Sequence, residues 1–171
     1  MPHSLIKLVC AVTLGVMLSS CSPSVSNQSQ SWETYHNSRF NFEFPYPSNW
    51  IAAPPPANRD GQAFSDPLQP EVEIRGWAGY QLSTPRTPNL QPQTKPKPTL
   101  LRPNFTTEQG VSGELKVEIG AEMSAMNLAL MQGNVQYNWR GQAPSRLFND
   151  YYKFFYYVAG QYRVPMQRQQ P

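Results

Sequence analysis

Four carboxylates lie close together in this chain, at Asp60, Asp66, Glu71 and Glu73. A calcium ion needs several such oxygens converging on one point, but the spacing is not that of a calcium-binding loop. Glu71 and Glu73 alternate with Val72 and Ile74, as the outward face of a half-buried strand does. They are therefore expected to be solvated acids, and no metal is expected. His36 is the only histidine beyond residue 20, so no histidine cluster can form after that point. No serine sits in a G-x-S-x-G elbow, and neither G-x-x-x-x-G-K-[ST] nor G-x-G-x-x-G occurs. The usual hydrolytic nucleophile and phosphate cradles are absent, and the reading is of a non-enzymatic chain without a cofactor. Thiol chemistry is left to Cys10 and Cys21.

The context of the two cysteines decides their use. Lys7 gives a positive start, Leu8 to Leu18 an apolar run, and Ser19-Ser20 a pair of small residues, which are the three parts of a secretory signal. Eleven apolar residues fall short of the roughly 20 that a membrane-crossing helix needs. Leu18-Ser19-Ser20-Cys21 resembles a bacterial lipobox. That resemblance implies cleavage after residue 20 and lipidation of Cys21 by a diacylglyceryl thioether and a further acyl chain. Two or more chains make a stable anchor where one does not. Ordinary cleavage, leaving Cys21 as a free thiol, is the alternative. Cys10 leaves with the signal, so the mature chain has one cysteine and no internal disulfide. The expected location is the periplasmic or thylakoid-lumenal face of a bacterial membrane. The matches to the glycosylation pattern at Asn27 and Asn104 are then chance.

Behind Cys21, residues 21–31 are polar and aperiodic and form a tether, with a reach on the order of 15–20 Å for ten residues. Removing residues 1–20 leaves 151 of 171 residues, enough for one domain, expected over 32–165, with a loose tail at 166–171. Net charge is +3 before cleavage and +2 without Lys7, too mild for a nucleic-acid footprint. Eighteen prolines and a mean hydropathy of −0.55 describe a loop-rich globular chain, because aromatic residues are plentiful.

These chemistry-poor residues need elements to position them. Phe40, Phe42 and Phe44 alternate with polar residues, so their rings are expected on one side of a strand. Pro45 to Asn49 reads as a turn, and Trp50-Ile51 restarts an apolar face. The sequence of Phe40, Asn41, Phe42, Phe44, Tyr46-Pro47 and Trp50 resembles the opening of the PsbP-like family of lumenal and periplasmic proteins. Asn41 stands where that family has glycine, and Asn tolerates a left-handed backbone better than most residues. The resemblance implies a PsbP-like α/β/α sandwich and an accessory role at a membrane complex such as photosystem II. It covers about thirty residues strongly and the remainder only by order of elements.

Gln62 to Ser65 reads as a short strand and Glu71 to Tyr80 as a longer one. Residues 84–103 hold six prolines with Lys95, Lys97 and two arginines and no acid. Proline at this density excludes a regular helix or central strand. The segment is expected to be a spacer loop, or a docking segment for anionic headgroups or an acidic partner. Gly113 to Ile119 alternates Leu115, Val117 and Ile119 inward against charged residues outward. Glu122 to Met131 and Val135 to Trp139 read as a hairpin across Gln132-Gly133-Asn134. Ser145 is expected to cap a closing amphipathic helix whose apolar arc holds Leu147, Phe148, Tyr151, Tyr152, Phe154, Phe155, Val158, Ala159 and Tyr162. Tyr157 falls in the polar arc and Tyr156 at its edge, which makes them, with Lys95 and Lys97, an expected contact surface.

The expected fold is α+β: a mostly antiparallel sheet of five to seven strands with the C-terminal helix on one face. The expected function is a lipid-anchored accessory domain that binds the membrane through Cys21 and a protein partner, and not nucleic acid. The alternative is a lipoprotein holding a small apolar ligand between helix and sheet.

Overall fold

The computed structural model describes residues 31–81 and 101–166. Cys21, Lys95, Lys97, most of the proline-rich segment and the last five residues lie outside them. The fold is α+β, with two antiparallel sheets and one helix. Strands β1 (Trp32–His36) and β2 (Glu43–Pro47) form a hairpin. Seven further strands form one antiparallel sheet: β3 (Ile51–Ala52), β4 (Gly61–Ser65), β5 (Glu73–Tyr80), β6 (Phe105–Thr106), β7 (Ser112–Ile119), β8 (Met123–Gln132) and β9 (Val135–Pro144). Their order is β3-β4-β5-β9-β8-β7-β6. The helix α1 (Phe148–Gly160) follows.

Alternation decides which side of the sheet is covered. Ile74, Gly76 and Ala78 of β5, Tyr137, Trp139 and Gly141 of β9, and Met126, Leu128 and Leu130 of β8 are all buried on one face. The β1–β2 hairpin and α1 lie over that face. Phe44 of the hairpin meets Phe64 of β4 at 6.0 Å between ring centres, and Phe155 of α1 meets Trp139 at 6.2 Å. Two glycines make this contact possible. A Cβ at Gly76 would strike the Phe44 ring, and one at Gly141 would fall 2.5 Å from Phe155.

Phe40, Phe42 and Phe44 are all buried, but only Phe44 lies in a strand. The chain before β2 is a turn in which Asn41 takes φ +54°. Buried Asn37 fixes it: its Oδ1 accepts from the Arg39 and Phe40 amides, and its Nδ2 donates to Tyr35 Oη and the Arg59 carbonyl. Pro45 and Pro47 belong to β2 and not to a turn. They are tolerated because the hairpin is a separate, two-stranded sheet, where few amides are needed for a ladder. The turn itself is Ser48-Asn49. The β8–β9 loop is two residues, Gly133-Asn134, with Gly133 at φ +60°, and not three.

Two further expectations are corrected. Ser145 does not cap α1. The N-cap is Leu147 without a side-chain bond, and the Ser145 hydroxyl donates to the Gly120 carbonyl at 2.8 Å and meets Ser124 Oγ, pinning the β7–β8 turn. Leu115, Val117 and Ile119 share the covered face, yet Val117 is 41% exposed and Ile119 72%. The helix lies over β8 and β9 and leaves the far end of β7 bare.

Candidate contact surfaces

The aromatic residues of α1 divide by wheel position. Phe148, Phe155, Val158 and Ala159 are buried, while Tyr152, Tyr156 and Tyr157 are 39%, 48% and 46% exposed. Tyr152 thus leaves the buried arc, and its ring contacts are with Phe148 and Tyr156 of the same helix. Tyr156 stacks on Tyr152 and meets Phe105 edge-on at 5.4 Å. Tyr157 meets Trp32 of β1 at 5.2 Å, and Trp32 also stacks on Phe154. The two tyrosines expected as one surface are both on the outside of the helix, each with its own aromatic neighbour. Trp32 and Phe105 had no periodic signal to reveal them, since β1 and β6 are too short or too polar for one. Lys95, Lys97 and Cys21 cannot be placed beside them, being outside the described residues.

The four carboxylates each have their own surroundings. Asp66 accepts from the Tyr151 hydroxyl at 2.6 Å and from the Leu68 amide at 2.8 Å. Asp60 accepts from Asn58 at 2.7 Å, and Glu73 pairs with Arg75 at 3.2 Å. Glu71 is exposed, and His36 lies at the surface, 3.9 Å from Glu43. Burial, then the bond to Asp66, pushes the Tyr151 hydroxyl up to about 12. Burial likewise raises Tyr137 and holds fully buried Tyr162 well above the ordinary phenol range.

Between helix and sheet the space is filled. Phe155, Trp139, Met126 and Leu128 are 1% exposed or less. No cleft opens at those four residues. A cleft of about 580 Å³ does exist, but on the opposite face of the sheet, lined by Gln62, Arg75, Trp77, Arg140 and Gln142 with Pro54 and Pro56 at its rim. It is polar. No helix among the described residues is long and apolar enough to cross a membrane.

No family model matches the chain, and no curated protein does. A solved structure does. The solution structure of cyanobacterial PsbP (CyanoP) from Synechocystis sp. PCC 6803 is similar over 86% of this chain and 99% of that one, at 14% identity and a TM-score of 0.46.

Proposed function

We propose that the chain is a non-enzymatic accessory domain, anchored by lipid on Cys21 at the periplasmic or lumenal face of a bacterial membrane, which docks on a membrane protein complex. The observation that carries this reading is a filled helix–sheet interface with Tyr152, Tyr156 and Tyr157 exposed on the outer side of the same helix. Those rings pack on one another, on Phe105 and on Trp32, yet each keeps a large exposed surface. Amphipathic aromatics are enriched where one protein meets another. The resemblance of Phe40 to Trp50 to the PsbP-like opening makes a photosystem II assembly the first partner to test.

The experiment has two arms. Cys21→Ala should release the protein to the soluble fraction or leave it unprocessed, and wild type should incorporate a palmitate analogue. A double Tyr156→Ala, Tyr157→Ala variant should stay with the membrane but lose at least tenfold of the complex subunits that co-purify with wild type. Unlabelled wild type would overturn the anchor. Undiminished co-purification would overturn the docking surface.

A further inference from the structure

The face of the sheet that the described residues leave uncovered carries a line of cations that strand pairing alone creates. Arg75 of β5 lies directly opposite Arg140 of β9, Arg140 opposite Asn127 of β8, and Asn127 opposite Lys116 of β7. Side chains so paired have Cβ atoms about 4.5–5.5 Å apart, and like charges there are destabilising. The flanking acids relieve two of the three. Arg75 pairs with Glu73 at 3.2 Å, and Lys116 with Glu114 at 3.1 Å. Arg140 has no carboxylate partner among the described residues. Its Nε donates to the Gln142 amide oxygen at 3.0 Å, and the side chain is half-buried. A partly desolvated guanidinium beside a second one costs stability unless an anion joins them.

The surroundings restrict what that anion can be. Arg75 and Arg140 both line the 580 Å³ cleft, far larger than a single inorganic ion requires, and Trp77 lies on the same face two residues from Arg75. Trp77 pairs with Gly61 of β4, where a Cβ would fall 2.7 Å from the Trp77 Cβ, so no larger residue fits opposite it. Asp60 and Glu73 also line the cleft and repel a second negative charge. Guanidinium groups take a carboxylate in a two-pronged bond, and an indole offers a flat apolar platform.

We infer that this cleft binds a small organic monocarboxylate, its carboxylate on Arg140 and Arg75 and its ring or apolar body on Trp77. The site is independent of the docking surface on α1, which lies across the sheet.

The test uses the full-length protein in detergent, with the Trp77 indole N–H followed by NMR and assigned through Trp77→Phe. Phenylacetate and the peptide acetyl-Gly-Gly-Phe share a carboxylate and a ring. Saturable shifts with either support the site, tighter binding by the first indicating a free organic acid and by the second a chain terminus. Arg140→Gln should weaken binding at least tenfold and leave the protein as stable as wild type or more so, because like-charge opposition is removed. Arg163→Gln, on the β2 side of the molecule, should bind as wild type. Absence of shifts with both probes, equal shifts with uncharged phenylacetamide, or unaltered binding by Arg140→Gln would each overturn the inference. So would a loss of stability in Arg140→Gln, which would make that arginine structural.

Discussion

Tyr151 ties α1 to the loop after β4 through its bond to Asp66. Its folded pKa, raised to about 12, lies above the ordinary phenol value of 10.0, so folding favours the neutral hydroxyl. The contribution is fully present below pH 10 and is lost as pH rises from 10 through about 12. Stability in urea titrations should therefore fall across that window, and Tyr151→Phe should show a shallower fall. Matching profiles would mean that the hydroxyl carries no such linkage. At this scale the sequence was informative where a backbone angle or a motif was at stake. Asn41 does take the left-handed angle that a glycine would hold. It was uninformative for Asn37, whose four bonds reach residues up to 22 positions away. A lone buried Asn has no pattern to announce it.

Strands with clean alternation were legible: in β5, β8 and β9 one face is buried against a layer, and β7 shows the same alternation although its far end is bare. β1 was not, since its five residues are mostly exposed and only Tyr35 is drawn inward. Alternation also identifies a face without saying how far the covering layer reaches, which is why Val117 and Ile119 read as core yet stand exposed. Helix periodicity was sharper. Phe155 is fully buried against Trp139, Tyr151 and Phe148, so Phe155→Ala should cost about 3–5 kcal/mol. Tyr157→Ala loses an edge-on contact with Trp32 at a half-exposed site and should cost about 0.5–1.5 kcal/mol. Denaturant titration of the two variants separates these ranges. Equal losses would show that the outer side of α1 is as much core as the inner, and would remove its standing as a docking surface.

For the molecule as a whole, what could not be read was register. Arg75 and Arg140 are polar positions of unremarkable strands, and only the pairing of β5 with β9 sets them side by side. The same pairing grades the stability of the fold. β8, β9 and β5 are joined along eight to ten residues, while β3 and β6 are two residues each. Hydrogen exchange should be slowest in β5, β8 and β9 and fastest, through local opening, in β1, β3 and β6. Uniform protection would contradict this gradient. The hairpin adds a mechanical property to the thermodynamic one. The chain enters it at Trp32, opposite Pro47; β1 pairs through its backbone with β2 alone, along five residue pairs, and beyond those only side chains such as Trp32 on α1 hold it. Tension applied from the N-terminal side meets those rungs in succession and unzips β1. The long strands are not sheared until the hairpin has yielded. A protein tugged from that end would give way at its first strand and keep the seven-stranded sheet intact.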